Sequence, residues 1–445
     1  MLGAGESGTG AALLAKAKGY EVFVSDYGQI SKEFKAELTK AEIPFEEDKH
    51  SEELVLNADL AIKSPGIPDD APMVSKLRDR HIEVIDEIEF ASRHTEATII
   101  AITGTNGKTT TTLLTYHILK ESGLNVGLAG NVGHSLARQM VEDAFDYYVL
   151  ELSSFQLDGT TTFHPHISIL LNITPDHMDR YDYSLEKYSD SKFRIARNLT
   201  AEDHLIAYTD NDLIAAGIAK RDFTARIHEV SLNQEAGTYL KDGEMVFTAG
   251  LSIAQLDTVL LGPHNAINMM CAVKAAMIIG VGEADIRNAL KTFKNAPHRL
   301  EHVATIDDVS FVNDSKATNV DSVKYALESF TNPLVWIAGG IDKGNDYDLI
   351  MESVNSKVKA LVCLGKDNTK LREAFHKEII NLLETDNMKT AVRSAMEYAQ
   401  AHDVVLLSPA CSSFDLYKNY EDRGNQFKQA VQELKEEFGR KSLNQ

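Results

Sequence analysis

The sequence predicts an α/β protein of three domains, and three observations carry that prediction. At 445 residues the chain is too long for one ordinary domain, since roughly 150 residues per domain suggests about three. Short β-branched and apolar runs alternate with helical patterns along most of the chain, which indicates parallel sheets with helices packed on them. Many of these runs end in glycine, serine or aspartate, the residues needed where a strand hands over to a helix. We place the domains at residues 1–90, 91–295 and 296–445.

The first block opens on Gly3-Ala4-Gly5-Glu6-Ser7-Gly8, followed by an apolar helix over 11–17 and a strand over 21–25 that ends at Asp26. A second strand, 60–63, runs into Ser64-Pro65-Gly66. This is a Rossmann-like pattern, and its GxGxxG fingerprint alone would suggest NAD. Glu6 would be unfavourable beside a diphosphate unless it points away. Almost no strand precedes the glycine turn, so either the first strand lies outside this numbering or the first sheet has lost a member.

The second block opens with a buried-strand pattern over 97–103 and a helix over 110–121. Between them lies Gly104-Thr105-Asn106-Gly107-Lys108-Thr109-Thr110. Glycines let backbone N–H groups face a triphosphate, Lys108 supplies a charge for the outer phosphates, and the Thr109 hydroxyl suits Mg²⁺. Ile102 stands where the first glycine of the common GxxxxGK[ST] pattern would be. Further strands are expected at 147–152 and 166–172. Glu151 ends the first of these, where carboxylates flank the ligand crevice of an open sheet and can hold a hard cation. Asn172-Ile173-Thr174-Pro175-Asp176-His177 follows the second, which makes His177 a candidate metal ligand. Lys192, on a helical stretch, reads as a solvated side chain from its position alone. Residues 205–250 read as a smaller β-containing insertion with a hairpin at Lys241-Asp242-Gly243. A long helix is expected over 265–279.

The third block reads as a second Rossmann-like domain, with strands at 310–313, 334–338, 360–364 and 404–407. Residues 441–445 read as a frayed end.

The formal net charge of −21 argues against a surface built to neutralise nucleic-acid phosphates, while leaving room for local anion sites. Cys271, Cys363 and Cys411 are scattered without a CxxC pair, which points to reduced core thiols and a cytoplasmic compartment. No signal peptide is recognised. No apolar run reaches the ~20 residues that a membrane span needs.

Taken in order, the phosphate loop, Glu151-Leu152-Ser153-Ser154-Phe155-Gln156, Asn172 to Arg180 and Gly262-Pro263-His264-Asn265-Ala266-Ile267-Asn268 resemble the central domain of the Mur ligase family. Ala296-Pro297-His298-Arg299-Leu300-Glu301, Asn313-Asp314-Ser315-Lys316-Ala317-Thr318-Asn319, Gly339-Gly340-Ile341-Asp342-Lys343-Gly344 and Ser408-Pro409-Ala410-Cys411-Ser412-Ser413 extend the resemblance through the third block. The match is nearest to the members that add D-glutamate.

The resemblance implies a ligase that uses ATP to join D-glutamate to UDP-N-acetylmuramoyl-L-alanine through an acyl phosphate, for peptidoglycan assembly. It implies a central P-loop ATPase domain between a UDP-binding and an amino-acid-binding domain, which close on one another during the reaction. Two Mg²⁺ ions are implied, with Thr109, Glu151 and His177 as ligands and Lys192 carbamylated by CO₂. Lys108, Glu151, His177 and Lys192 would be the catalytic set. Asn265, Asn268, His298, Arg299 and Asp314 would surround the nucleotide. Ser7, Asp26, Ser64 and Gly66 would hold UDP, with Gly28 standing where some members carry an arginine. Asn131, Ser153 and Gln156 would line the muramoyl part. Lys316, Thr318, Lys343, Ser413 and Tyr420 would form the D-glutamate pocket. A monomer acting on small molecules is expected, with no nucleic-acid partner and no membrane insertion. An NAD-dependent oxidoreductase is the rival from the first glycine loop, but it leaves Lys108, Glu151 and His177 unexplained. A folylpolyglutamate synthase would lack the first block, and a noncatalytic nucleotide switch would turn over ATP without regard to amino acids.

Overall fold

The computed structural model describes residues 1–248 and 250–442, so residues 443–445 of the end read as frayed lie outside the described residues. The chain forms two compact units. One comprises Met1–Leu260 with Asn265–Phe293, and the other comprises Leu261–His264 with the chain from Lys294 onward.

Within the first unit, the glycine-led block contains β1 (Val24–Ser25), β2 (Phe45–Glu46), β3 (Leu60–Ile62) and β4 (Glu83–Ile85). β1 pairs parallel with β2, and β3 with β4. Leu2 bridges the two pairs, in parallel register with Ser25 on one side and Lys63 on the other. Its N–H donates to the Ile62 carbonyl at 2.8 Å, and the Ser25 N–H donates to the Met1 carbonyl at 2.9 Å. Leu2 therefore occupies the central position between β1 and β3 as a bridging residue. The strand expected over 21–25 is shorter than its pattern suggested, because only Val24 and Ser25 find a ladder partner in β2.

The central block is one sheet of nine strands. They are β5 (Thr98–Thr103), β6 (Val126–Gly130), β7 (Tyr147–Glu151), β8 (Ile167–Leu170), β9 (His204–Tyr208), β10 (Arg226–Ser231), β11 (Thr238–Lys241), β12 (Glu244–Phe247) and β13 (Ser252–Ala254), in the order β13-β12-β11-β10-β9-β8-β5-β7-β6. The segment read as a separate insertion is instead the continuation of this sheet. β9 pairs parallel with β8 on one side and with β10 on the other, and its Leu205, Ile206 and Ala207 are buried on both faces. The hairpin at Asp242-Gly243 is present, with both residues at positive φ (51° and 81°) as a tight antiparallel turn requires. β5 lies between β7 and β8, so the loops leaving their carboxyl ends are neighbours in space.

Two acids seal the first block to the central one. Glu89, in the helix Glu87–Ser92, is fully buried and accepts the N–H groups of Thr161 at 2.9 Å, Thr162 at 3.0 Å and Phe163 at 2.9 Å, with Arg93 Nε at 3.0 Å. Burial alone would raise its pKa, but the Thr162 hydroxyl, which also donates to this carboxylate, and these N–H donors outweigh it and hold the carboxyl at about 2. Glu87 accepts the Ala137 N–H at 2.6 Å, and burial pushes its pKa to about 8.

The second unit carries β14 (Glu301–Ile306), β15 (Val309–Asn313), β16 (Leu334–Ala338), β17 (Val358–Leu364), β18 (Asn381–Thr385) and β19 (Val404–Leu407), in the order β14-β15-β19-β16-β17-β18. All neighbours are parallel except β14 with β15. β14 and β18 are additional to the strands read from sequence; both are edge strands with charged or polar residues interleaved. β19 enters between β15 and β16, which places the loops after β15, β16 and β19 side by side. No helix among the described residues is long and apolar enough to cross a membrane.

Candidate active site

The phosphate loop begins where β5 ends, and the helix Lys108–Glu121 begins where the loop ends. Gly107 caps that helix at φ +83°, and a Cβ there would lie 2.4 Å from Asn268 Oδ1. Asn268, on the buried helix Pro263–Ile279, also accepts the Thr111 hydroxyl at 3.1 Å and donates to Asn265 Oδ1 at 3.3 Å. Asn265 and Asn268 are thus fixed against the back of the loop. From the other side Asn172, just past β8, accepts the Asn106 N–H at 2.8 Å and donates to the Asn106 carbonyl at 3.0 Å. The Thr105 hydroxyl bonds the Thr174 carbonyl and lies 3.2 Å from the Tyr188 hydroxyl. Asn172 and Tyr188 were not singled out from sequence as site residues. Asn172 sat in a recognised motif, whereas nothing marked Tyr188.

Two lysines meet at one loop carbonyl. Lys108 Nζ donates to Gly104 O and Thr105 O, both at 2.8 Å, and Lys192 Nζ donates to the same Gly104 O at 2.8 Å. Lys192 is 1 % exposed, on the helix Leu185–Phe193, with its nitrogen 4.6 Å from the Tyr188 ring centre. Burial first, and the neighbouring Lys108 charge second, drive its pKa well below the ordinary lysine value. The side chain that read as solvated is a buried amine.

Glu151, at the end of β7, is 1 % exposed. Its Oε1 accepts Asn131 Nδ2 at 2.7 Å, and its backbone carbonyl accepts the Asn131 N–H at 2.8 Å. Its Oε2 is buried and has no hydrogen-bond partner, the state of a ligand oxygen that awaits a cation. Thr109 lies buried in the first turn of the loop helix. His177 sits at φ 51° in the loop after β8, half exposed, with its ring centre 5.0 Å from that of Phe155. Among the described residues no group of three or more His, Cys, Asp and Glu could hold a metal by itself. The donor set fits Mg²⁺ only with further oxygen ligands such as phosphate, and the orphaned Glu151 oxygen suits that. Ser153 and Gln156 form a capping box, with Gln156 Oε1 accepting the Ser153 N–H at 3.0 Å and its hydroxyl at 2.9 Å. Those atoms cap the start of the helix Ser154–Asp158.

In the first block, Asp26 Oδ2 accepts the Ala4 N–H at 2.7 Å and Oδ1 accepts the Gly28 N–H at 2.8 Å, so the carboxylate braces the glycine loop. A Cβ at Gly3 (φ +88°) would fall 2.4 Å from Ser64 Oγ, which shows how closely that loop rests on Ser64. Ser7 is half-buried in the first helical turn and Gly66 is exposed. Glu6 points away from the loop, towards Ser135 and Arg138.

In the second unit, the loop after β15 carries Asp314, Lys316 and Thr318, the loop after β16 carries Lys343, and the loop after β19 carries Ser413. Lys316 Nζ lies 5.3 Å from the ring centre of Tyr420; Thr318 is half-buried, Lys343 exposed and Ser413 buried. Asp314 accepts the Ser408 hydroxyl at 2.9 Å and the Leu300 N–H at 3.2 Å, and burial pushes its pKa to about 7. His298, 5 % exposed at φ 65°, accepts Asn313 Nδ2 at 2.9 Å. Its neighbour Arg299 lies close enough for its charge to act on Asp314.

The residue that sequence reasoning missed here is Arg423. It is 1 % exposed and donates to Ser315 Oγ at 3.0 Å, Ser315 O at 2.9 Å, Gly339 O at 3.2 Å and Cys411 O at 3.1 Å. One guanidinium thus ties together all three strand-end loops, and among the described residues no carboxylate pairs with it. Burial lowers its pKa only to about 10, so it remains a cation. The one available signal was Gly424, a glycine inside a helical pattern. A Cβ there would lie 2.1 Å from His298 Nδ1.

A phosphate loop backed by a buried lysine and a buried carboxylate, with a further lysine on the loop itself, and a second unit with clustered strand-end loops define an ATP-handling α/β scaffold, and comparison with known proteins gives its family. The chain belongs to the Mur ligase family: the Mur ligase middle domain matches residues 102–276, the Mur ligase, glutamate ligase domain matches 298–411, and the MurD N-terminal domain matches 1–73. Among its relatives, the UDP-N-acetylmuramoylalanine–D-glutamate ligase of Cytophaga hutchinsonii is 53% identical over 445 residues, covering 98% of each chain. That of Bacteroides fragilis is 50% identical over 439 residues, covering 98% of this chain and 99% of the relative. In fold it is similar to a UDP-N-acetylmuramate-alanine ligase from Thermotoga maritima (TM-score 0.62, 19% identity, 97% and 98% covered). It is also similar to a pseudomurein peptide ligase from Methanothermus fervidus (TM-score 0.64, 17% identity, 98% and 99% covered).

Proposed function

We propose that this chain is the cytoplasmic ligase that joins D-glutamate to UDP-N-acetylmuramoyl-L-alanine, with ATP converted to ADP and phosphate. The observation that carries the reading is the convergence of Lys108 and Lys192 on Gly104 O within a phosphate loop, in a chain about half identical to ligases bearing that name. Residues 1–90 take the UDP part, 91–295 take ATP, and 296–445 take the amino acid. The enzyme acts as a monomer.

A free carboxylate resists an amine because oxide is a poor leaving group. Transfer of the γ-phosphoryl group to the substrate carboxylate makes an acyl phosphate, and the D-glutamate amine then displaces phosphate through a tetrahedral centre. Lys108 swings from the loop carbonyls to the outer phosphates as ATP enters, and the N–H groups of residues 104–110 cradle them. Asn265 and Asn268 hold the loop from behind, and His298, Arg299 and Asp314 are further residues assigned to the nucleotide. Asn131 fixes Glu151 beside the substrate carboxyl, with Ser153 and Gln156 shaping the turn that follows it. Ser7, Asp26, Ser64 and Gly66 form the UDP cradle, where Asp26 acts through the loop it braces. Lys316, Thr318, Lys343, Ser413 and Tyr420 receive the two carboxylates of D-glutamate, above the buried charge of Arg423.

Thr109, Glu151, His177 and a carbamylated Lys192 would hold two Mg²⁺ ions, which supply charge neutralisation to the phosphoryl group in flight. Burial and the nearby Lys108 charge shift Lys192 towards the unprotonated amine, the form of lysine that adds CO₂, and the carbamate would put an oxygen ligand where the amine stands. Phosphate release measured with a panel of amino acids, with and without the nucleotide-sugar, tests the assignment. D-glutamate and UDP-N-acetylmuramoyl-L-alanine together should be required, and turnover indifferent to either would overturn it. Lys192→Ala should lose activity and regain part of it with short carboxylic acids; wild-type activity in that variant at all bicarbonate levels would remove the carbamate.

A further inference from the structure

The first residue of the helix Glu6–Ala17 is an acid at the very place where the proposed cradle meets a diphosphate. Its carboxylate is turned aside and held. Glu6 Oε1 accepts the Ser135 N–H at 3.0 Å and Arg138 Nε at 2.9 Å, with His134 Nδ1 at 3.6 Å. Burial opposes ionisation, yet the Ser135 N–H and Arg138 together keep this carboxyl below its ordinary pKa. Arg138 is 7 % exposed and also reaches Glu37 Oε2 at 2.7 Å. The two segments are pressed together, since a Cβ at Gly10 would lie 2.1 Å from Ser135 Oγ.

From Ser135 the chain leads straight back to the metal carboxylate. Ser135 caps the short helix Leu136–Glu142, and the turn before it bonds Gly130 N–H to His134 O at 3.2 Å. The same turn lies flat on β7, since a Cβ at Gly130 would come 2.3 Å from Glu151 O. Its next residue is Asn131, which holds Glu151 through both its side chain and its N–H. Every link from Glu6 to Glu151 is therefore a hydrogen bond or a tight turn, and all belong to the first unit.

Among the described residues, one donor of this relay is unused. Arg138 Nη2 is buried and has no hydrogen-bond partner. An anion at the start of the helix repels Glu6 towards Arg138, where a second N–H is ready to make the contact bidentate.

We propose that Glu6 and Arg138 are positioning residues that couple occupancy of the nucleotide cradle to the geometry of the Glu151 metal site. The inference rests on the reading of the glycine loop as the UDP site and of Glu151 as a magnesium ligand. UDP alone fills the cradle without bringing a carboxyl group to the metal, so it isolates the coupling from direct ligation. By linkage, a ligand that improves the Glu151 geometry tightens metal binding, and the metal tightens that ligand equally.

The experiment uses the full chain with a non-hydrolysable ATP analogue and Mn²⁺ as the probe, its affinity read by electron paramagnetic resonance with and without UDP. UDP binding is measured separately by calorimetry. UDP should tighten Mn²⁺ about 5-fold in the wild type, within the usual range of coupling between sites. Glu6→Gln and Arg138→Met should both abolish the effect while leaving Mn²⁺ affinity without UDP within about twofold, and Arg138→Lys should restore part of it. A purely structural clamp would lower thermal stability and leave the UDP effect unchanged. The proposal is overturned if UDP binds without altering Mn²⁺ affinity in the wild type, or if the effect survives in both Glu6→Gln and Arg138→Met. Failure of UDP to bind at all would instead remove the reading of the first block, and the coupling with it.

Discussion

Replacing Glu89 by glutamine should destabilise the protein by about 3 kcal/mol at pH 7, and the deficit should shrink on acidification. The carboxylate is buried and gathers the N–H groups of Thr161, Thr162 and Phe163 together with Arg93. Its pKa is depressed from an ordinary 4.5 to about 2, which corresponds to about 3 kcal/mol at 1.36 kcal/mol per pH unit. A depressed folded-state pKa means that the stabilisation is complete above the unfolded-state value and is lost as pH falls towards 2. By pH 3.5 linkage removes about 1.4 kcal/mol of it. Glutamine offers one carbonyl oxygen and turns an N–H₂ group on the remaining donors, so it cannot substitute. Urea unfolding of both proteins at pH 7, 5 and 3.5, read by the transition that reports the first unit, provides the assay. A difference under about 1 kcal/mol at pH 7, or one that is the same at pH 3.5, would refute the argument that these donors act through the charge.

Glu87 shows the opposite sign. Its folded-state pKa is raised to about 8, so its contribution is full below about 4.5 and is lost as pH rises towards 8. Glu87→Gln keeps an acceptor for Ala137 and should be more stable than wild type by about 4 kcal/mol at pH 8 and nearly equal to it at pH 4.5, as chemical denaturation at the two pH values will reveal. Gly107→Ala must place a Cβ against Asn268 at φ +83°, and it should raise the KM for ATP at least about tenfold while the fold persists by circular dichroism. Arg423→Met strips donors from three strand-end loops, leaves buried carbonyls unsatisfied and should cost the second unit about 1–3 kcal/mol. In the fraction that folds, steady-state kinetics should register a higher KM for D-glutamate and an unchanged KM for ATP.

The parts of the molecule legible in the sequence were those where local chemistry dictates geometry. A strand feeding glycines and a lysine specifies the phosphate loop whatever surrounds it, and Asp242-Gly243 specifies its hairpin. What stayed hidden depends on partners distant in sequence. β9 and β10 read as an irregular insertion because nothing local says that they ladder onto β8. Leu2 as a central bridging residue is visible only through Ser25 and Lys63. Lys192 and Arg423 carry the same lesson, because a lysine or arginine on a polar helix reads as solvated until the packing of other elements buries it. Asp26 is the converse: its place at a strand end was read correctly, but its oxygens are spent on the Ala4 and Gly28 amides.

The insertion of β19 between β15 and β16 governs the order in which this chain can mature during synthesis. Residues 404–407 leave the ribosome long after both of their neighbours, and until they arrive β15 and β16 have no shared partner and present open edges rich in Val, Leu and Ile. The second unit therefore assembles late and all at once rather than strand by strand, and nascent chains stalled before residue 404 are the species that chaperones must shield.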